Sequence, residues 1–102
     1  MKSFKVDEVA GEEFAEAAAW YEGERPGLGF EFIAEVDRTL DRIEQQERFV
    51  TAPVTRLAGG VVRREFVRRF PYVVLFLETA DMRRVIMIRR DGADPALWRS
   101  RI

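Results

Sequence analysis

Apolar residues in the first half of the chain recur at the spacing of helices. Residues 8–24 are rich in Ala and Glu and carry Phe14, Ala17, Ala18 and Tyr21 at helical spacing, which predicts a first helix. Residues 28–47 predict a second, whose apolar stripe is Phe32 or Ile33, Val36, Leu40 and Ile43. Because a proline and two glycines interrupt residues 25–29, the two helices are expected to form an antiparallel hairpin.

Outside these segments the pattern is that of β-strands. Residues 3–6 alternate polar and apolar side chains, as do residues 61–70, whose Val62, Arg64, Phe66, Arg68 and Phe70 are expected on one face. Residues 72–78 form a nearly continuous β-prone run, typical of a central strand covered on both faces. A turn at residues 79–82 leads into a last strand at 83–90, while residues 49–57, with Pro53, are expected to be a loop.

These elements predict a single α+β domain over residues 1–102. The order is β-α-α-β-β-β, with the helical hairpin packed on an antiparallel sheet. Strands joined by such short links run antiparallel. In the tail, Asp94 and Pro95 are placed to begin a single helical turn that carries Trp98.

The composition excludes several kinds of chemistry. The 102 residues include no cysteine and no histidine, so disulfides, thiolate nucleophiles, imidazole catalysis and Cys/His zinc sites are excluded. Carboxylate pairs such as Glu12 with Glu16, or Asp37 with Asp41, fit solvated helix faces better than a metal site. Gly59-Gly60 fits a hairpin or bulge better than a phosphate-binding loop. No metal or cofactor is therefore expected, and the absence of long apolar runs favours a soluble, cytoplasmic protein.

Charge is distributed unevenly along the chain. Residues 1–55 hold six basic and thirteen acidic side chains, whereas residues 56–102 hold eleven arginines and five acids. Eight of these arginines form four consecutive pairs on the predicted strands: Arg63 and Arg64, Arg68 and Arg69, Arg83 and Arg84, and Arg89 and Arg90. Guanidinium groups bind carboxylates and phosphates through paired hydrogen bonds. The arginines therefore either neutralise the acidic helices or face an acidic partner, one of each pair pointing to each side of the sheet.

Three aromatic residues are candidates for either the core or a site. Tyr21 lies on the helix stripe and Tyr72 follows Phe70-Pro71, so both have core positions available. Trp98, flanked by Arg99 and Arg101, either folds back on the core or anchors a partner. Cleavage of RNA without histidine is chemically conceivable if arginines stabilise the phosphorane and Tyr72, a lysine or a carboxylate moves protons.

The order of several short motifs resembles a known family over nearly the whole chain. Trp20-Tyr21-Glu22, Pro26-Gly27-Leu28-Gly29 and Phe32 resemble the helical hairpin of RelE/ParE-type toxins of bacterial type II toxin–antitoxin modules, and Phe70-Pro71-Tyr72 resembles the start of their central strand. The tail, with Asp94-Pro95, Trp98 and Arg101, resembles the ParE-like branch. The β-α-α-β-β-β order is also that of the family.

The resemblance implies two alternative activities. RelE-like members cut mRNA on the ribosome, and ParE-like members poison DNA gyrase by binding it. RelE-like nucleases carry a basic residue directly after the tyrosine of the central strand, where this chain has Val73. At the approximate positions of a histidine and an arginine found in many ParE-like members, this chain has Arg90 and Ala93. This keeps a hydrogen-bond donor at the first of these positions and loses one at the second. Because the basic residue of the RelE-like pattern is missing at Val73, the ParE-like activity is the first expectation.

The resemblance also implies sites and partners. For a gyrase-directed toxin the target-binding residues are expected to be Arg64, Arg69, Arg84, Arg89, Arg90, Trp98 and Arg101. A cognate antitoxin with an acidic or amphipathic C-terminal segment is expected to cover Tyr21, Leu28, Phe32, Arg64 and Arg68, and the toxin itself would bind neither specific DNA nor a membrane. The alternatives are a ribosome-dependent endoribonuclease using Arg69, Tyr72 and Arg90, and a non-toxic antitoxin-binding module.

Overall fold

A computed structural model describes residues 2–92, 94 and 96–102. It confirms the predicted α+β class: two long helices follow a first strand, and a sheet of consecutive strands follows the helices. The elements are β1 Ser3–Val6, α1 Glu8–Glu24, α2 Leu28–Gln45, β2 Thr55–Leu57, β3 Gly60–Phe66, β4 Tyr72–Glu78, β5 Met82–Arg90 and α3 Ala96–Arg99. None of the helices in the described residues is long and apolar enough to cross a bilayer.

The sheet is mixed, with the strand order β1-β5-β4-β3-β2. Strands β2 to β5 are antiparallel, as expected from their short connections, but β1 runs parallel to β5, with Phe4 opposite Arg83. Short links fix the direction only of strands that follow each other directly. The prediction of a fully antiparallel sheet is therefore wrong for β1, because the whole helical hairpin separates β1 from β2.

Two strand boundaries differ from the sequence prediction. Residues 55–57, expected in a loop, form β2 and pair with β3, so Gly60 lies opposite Leu57 in a tight hairpin. Strand β3 ends at Phe66 rather than at residue 70, because a turn with Arg69 at a φ of 71° separates it from β4. The turn breaks the alternation: Phe66 is exposed, whereas Phe70 is buried on the helix side.

Both faces of the sheet are covered, as the apolar run of β4 predicted. The helices pack on one face, which we call the helix face, over a core that includes Phe32, Val36, Ile43, Phe76 and Val85. The opposite face, which we call the second face, carries a smaller core made of Val62, Val73, Leu75, Ile86, Met87 and Trp98. The C-terminal tail covers this second face, so Trp98 takes the core position that the sequence left open.

A β-bulge changes the faces of β5. Leu75 of β4 lies opposite Met87, but the next residue, Phe76, lies opposite Val85, so Ile86 is an additional residue. Ile86 and Met87 consequently both pack in the second-face core, while Val85 and Ile88 pack under the helices. The bulge therefore moves every β5 residue beyond it to the face opposite to the one that simple alternation gives.

The start of α2 is fixed by α1. The Glu22 carboxylate accepts hydrogen bonds from the backbone N–H groups of Gly27, at 2.9 Å, and Gly29, at 2.9 Å, and thereby caps the helix N-terminus. Gly29 also lies against α1: a Cβ at this position would be 2.8 Å from the Ala18 carbonyl oxygen and 2.9 Å from the Glu22 Cβ. The two helices can approach this closely only because residue 29 has no side chain.

Gly29→Ala is therefore expected to lower the free energy of unfolding by about 1–3 kcal/mol, since the backbone of α1 cannot move away cheaply. Urea unfolding measures the change. Gly23→Ala is the matched control, because it lies within α1 with no atom within 4 Å of the added Cβ. Alanine has the higher helix propensity, so that variant is expected to gain up to about 1 kcal/mol. Equal effects of the two substitutions would show that the close approach is unimportant.

Candidate functional site

Two arginine pairs divide between the faces of the sheet, as alternation predicted. Arg83 and Arg63 lie on the helix face, where both guanidinium groups lie over the Phe49 ring and both donate to Glu78, each over 2.8 Å. Arg84 and Arg64 lie on the second face, Arg84 beside the tail and Arg64 exposed over Phe66. Arg63 and both members of the Arg83 and Arg84 pair thus make contacts inside the fold, whereas Arg64 is exposed.

The second face contains a cavity of about 380 Å³ next to the tail. Its apolar floor is formed by Val73, Leu75, Met87 and Trp98. Three arginines line it as well: Arg64 of β3, Arg90 of β5 and Arg99 of α3. An apolar floor with exposed guanidinium groups around it is the composition of a protein-binding surface, because arginine and large apolar side chains dominate binding hot spots.

A larger groove of about 580 Å³ lies between α1 and the end of β5. We call it the α1–β5 groove. Its α1 side is lined by Val9, Glu12, Glu13, Glu16, Ala17 and Trp20, and its sheet side by Tyr72, Ile88, Arg89 and Arg90. Both Val9 and Trp20 are about half exposed.

The carboxylate pairs noted in the sequence lie on solvent-facing sides of the helices. Glu12, Glu16, Asp37 and Asp41 are all exposed, as predicted. Partial desolvation and the nearby Asp41 raise the pKa of Asp37.

Arg90 belongs to both depressions. Its guanidinium lies 6.0 Å from the centre of the Trp20 ring and 5.9 Å from that of Tyr72, which is its cross-strand partner. Within the described residues it has neither an ion pair nor a hydrogen bond through its side chain, unlike its neighbour Arg89, which approaches Glu13 at 3.5 Å. Arg90 is thus held between two aromatic rings, and no side chain or carbonyl of the described residues uses its hydrogen-bonding groups.

Three of the expected target-binding residues instead hold the tail in place. Trp98 is only 4% exposed. Arg101 donates to both carboxylate oxygens of Glu13, over 2.9 and 3.1 Å, and to the Ile86 carbonyl. Arg84 donates to Asp7 over 3.0 Å and to the Arg101 carbonyl, so the Asp7 side chain does not cap α1. Trp98, Arg84 and Arg101, expected to contact the target, therefore all make internal contacts that hold the tail.

The remaining target-binding candidates lie at two places. Arg64 and Arg90 line the second-face cavity, and Arg89 lines the α1–β5 groove beside it. Arg69 lies elsewhere: it donates to Glu31 over 2.7 Å on the helix side. Hydrogen bonds from Arg69 and Arg25 hold the pKa of Glu31 below its ordinary value. Of the seven expected residues, the structure thus places Arg64, Arg90 and the buried Trp98 around the second-face cavity, and Arg89 in the groove beside it.

The expected antitoxin-binding residues do not form one surface. Phe32 has no exposed area and Tyr21 is only 7% exposed. A partner therefore cannot contact Phe32 and could touch no more than an edge of Tyr21, so the expectation that an antitoxin covers these two residues is wrong. Both belong to an aromatic cluster under the helices, with ring centres 5.0 Å apart. Leu28 is partly buried against the same core, Arg68 is exposed in the turn after β3, and Arg64 lies on the second face.

The residues suggested for RNA cleavage are only partly assembled. Tyr72 and Arg90 are neighbours, but the Tyr72 ring packs against Tyr21 and Phe32, and Arg69 is engaged by Glu31. Val73, at the position of the basic residue, lies in the second-face floor. The described residues contain no group of three acidic side chains able to hold a metal ion. Ala93 and Pro95, which the sequence analysis set against the ParE-like pattern, lie outside the described residues.

Sequence reasoning missed a contact that closes the free edge of β5. Strand β1 pairs with β5 only as far as Val85. Beyond it, the Glu13 carboxylate accepts a hydrogen bond from the Ile88 N–H over 3.1 Å, and Arg101 donates to the Ile86 carbonyl over 2.9 Å. Glu13 is one of several acids along α1, and no local pattern distinguishes it from the solvated ones.

Comparison with known proteins gives a likeness in fold to a solved structure. No protein-family model matches the sequence, and no curated protein matches it. A chain of the solved structure of the chromosomal ParDE TA system from P. aeruginosa superimposes with a TM-score of 0.73 at 16% sequence identity. The match covers 88% of this chain and 96% of that chain. The protein therefore has the fold of that ParDE chain, the fold expected of RelE/ParE-type toxins.

Proposed function

We propose that the protein is a ParE-type toxin of a type II toxin–antitoxin module, which arrests growth by binding DNA gyrase and is neutralised by a cognate antitoxin. The observation that carries the proposal is the likeness in fold to a chain of a ParDE system over 88% of the sequence. Both partners would be met in the cytoplasm, and on a plasmid such a module would stabilise its inheritance. No cofactor is part of the proposal.

The gyrase-binding surface is proposed at the second-face cavity. Arg64 and Arg90 are exposed there beside an apolar floor, and Arg99 adds a third guanidinium. The fixed tail supplies the floor through Trp98, so the tail contributes to binding by shaping the cavity. This arrangement supports contact with a protein, because apolar area and arginine act together at hot spots.

The positions of the candidate nuclease residues favour the binding role over RNA cleavage. In a nuclease, a proton-transferring group and a phosphate-stabilising cation face the same reacting atom. Here the ring of Tyr72 is packed in the aromatic cluster and Arg69 is held by Glu31 and Glu35. The cavity that carries Arg64 and Arg99 includes neither residue among its lining residues.

The test is DNA supercoiling by gyrase in the presence of the purified chain, with cleaved DNA scored on the same gels. We expect inhibition with trapped cleaved DNA, lost in the Arg64→Glu variant and kept in Arg56→Glu, which changes an exposed arginine of β2 outside the cavity. Cleavage of mRNA in a translation extract, with gyrase unaffected, would replace the proposal with the ribonuclease. Inactivity in both assays would favour a non-toxic antitoxin-binding module.

A further inference from the structure

Arginines without an ion pair gather around the second-face cavity. Nine of the fifteen arginines pair with a carboxylate among the described residues. Of the six that do not, three line this cavity: Arg64 of β3, Arg90 of β5 and Arg99 of α3. The chain has eighteen acidic residues, enough to pair with every cation. The fold therefore leaves positive charge uncompensated at the place where it also leaves an apolar depression.

Two of these guanidinium groups lie against aromatic rings. The Arg64 group is 5.1 Å from the centre of the Phe66 ring, and the Arg99 group is 5.4 Å from the centre of the Trp98 ring. A ring attracts the cation without using its N–H groups as hydrogen-bond donors. Both side chains are exposed, and neither donates a hydrogen bond to the described residues. An acceptor that binds them therefore meets donors that are already positioned, which lowers the entropic cost of binding.

The floor of the cavity suits an apolar side chain. Its members Val73, Leu75, Met87 and Trp98 are all buried, and Val54 adds an apolar side chain that is partly exposed. The volume of about 380 Å³ is enough for a large side chain of another molecule. A charged group at this floor would lose its hydration without gaining a partner. Charged groups of a ligand therefore belong at the rim, where the arginines are.

The charge of the whole chain favours a polypeptide ligand over a nucleic acid. Nucleic-acid binding draws most of its affinity from many phosphate contacts in a positive field. This chain has a net charge of −1, and Asp91 lies beside Arg90 in the cavity lining. The side chains of Val73, Leu75 and Met87 also offer no hydrogen bonds to the edges of a base. A polypeptide with acidic residues next to an apolar one matches both the rim and the floor.

From these observations we propose that the second-face cavity receives an apolar side chain of the target polypeptide, flanked by acidic residues whose carboxylates bind Arg64 and Arg99. The identification of the target as gyrase rests on the proposed function. The chemistry of the bound segment rests on the cavity itself, so the two can be tested separately.

The first test needs no gyrase and follows the fluorescence of Trp98. In a Trp20→Phe background Trp98 is the only tryptophan of the chain. The probe is a synthetic peptide with one leucine between two pairs of glutamates, compared with the same peptide carrying glutamines and with a short single-stranded oligonucleotide. We expect a saturable change with the acidic peptide alone, because its leucine reaches the floor that Trp98 forms. A response to the oligonucleotide alone, or to none of the three, would overturn the inference.

The second test measures binding of the full chain to immobilised gyrase. Arg64→Gln and Arg99→Gln are each expected to raise the dissociation constant about tenfold, because each removes a charge-assisted hydrogen bond. Both are also expected to make binding less dependent on salt. Arg56→Gln is the matched control, since Arg56 is equally exposed and free of ion pairs but lies outside the cavity lining. It is expected to bind like the wild type.

The outcomes distinguish the inference from the proposed function. If the wild type inhibits gyrase while Arg64→Gln and Arg99→Gln bind like Arg56→Gln, the cavity is not the contact and the toxin proposal stands. If the wild type does not bind gyrase, the proposed function fails and the peptide titration alone decides the inference. Equal losses in all three variants would indicate a general effect of positive charge and would also overturn the inference. Losses confined to the two cavity variants, for both gyrase and the acidic peptide, would confirm it.

Discussion

Replacing Arg83 with Met is expected to lower the free energy of unfolding by about 3 kcal/mol, the typical cost of breaking a buried ion pair. The Arg83 guanidinium, 4% exposed, donates to Glu78 over 2.8 Å and to three backbone carbonyls at the end of α2: those of Ile43, over 2.8 Å, Gln46, and Glu47, over 3.0 Å. The methionine fills similar volume but leaves those acceptors without their donor. Equilibrium urea unfolding followed by circular dichroism measures the loss.

Arg64→Met is the matched control for this change. Arg64, in β3, lies exposed on the second face, opposite to the face that carries Arg83, and its guanidinium is 5.1 Å from the Phe66 ring. Its replacement is therefore expected to change stability by no more than about 0.5 kcal/mol. A comparable loss in both variants would mean that arginine contributes to this sheet in a general way, independent of the buried contacts of Arg83.

The ion pair between Arg83 and Glu78 makes the stability of the fold depend on pH. Burial raises the pKa of Glu78, but hydrogen bonds from Arg63 and Arg83 outweigh it and leave the pKa below its ordinary value. The stabilisation is therefore complete above the ordinary glutamate pKa and is lost as the pH falls through the lowered folded-state value. Because Arg83→Met removes one of the two guanidinium partners, its stability should fall less steeply in that acidic range than that of the wild type.

Replacing Phe32 with Ala is expected to lower the free energy of unfolding by about 3–5 kcal/mol. Phe32 has no exposed surface, and its ring centre lies 5.0 Å from that of Tyr21, 5.0 Å from that of Tyr72 and 5.1 Å from that of Phe70. The alanine leaves a cavity among rings contributed by α1, the turn after β3 and β4, which cannot all move inward together. Thermal and urea unfolding both measure the effect.

Phe30→Ala provides the comparison within the same helix. Phe30 is 74% exposed, so the loss of its ring is expected to change stability by less than about 0.5 kcal/mol. If Phe32→Ala cost no more than Phe30→Ala, the aromatic cluster would not be the centre of the fold. Because Phe32 is buried, a loss of partner binding in Phe32→Ala would have to be distinguished from unfolding before it is attributed to a lost contact with the partner.

The helices and most strands could be predicted because their causes are local. Helical spacing, the Pro26-Gly27 interruption and the β-prone run of β4 act over a few residues, and the observed bounds Glu8–Glu24 and Tyr72–Glu78 match the prediction. The early end of β3 could not be predicted, because the left-handed conformation of Arg69 is imposed by tertiary structure. The parallel pairing of β1 depends on packing across the whole domain.

The candidate site was harder to predict because one bulge decides its geometry. Arginine pairing indicated correctly that Arg83 and Arg84 face opposite sides. Simple alternation from Arg83 would also place Arg89, rather than Arg90, on the helix face. The additional residue Ile86 reverses this, so Arg90 lies opposite Tyr72 and over Trp20. Nothing in the run of apolar residues at the centre of β5 indicates where such an insertion occurs.

The contact of Glu13 and Arg101 with the outer edge of β5 has a consequence for solubility. An unpaired strand edge is a template for pairing with another chain, and it is the usual starting point of aggregation. Here two side chains, Glu13 of α1 and Arg101 after α3, occupy the Ile88 N–H and the Ile86 carbonyl that an incoming strand would need. Glu13 and Arg101 thus protect this part of the edge of β5, and loss of the Arg101 side chain is expected to leave the Ile86 carbonyl open to intermolecular β-pairing.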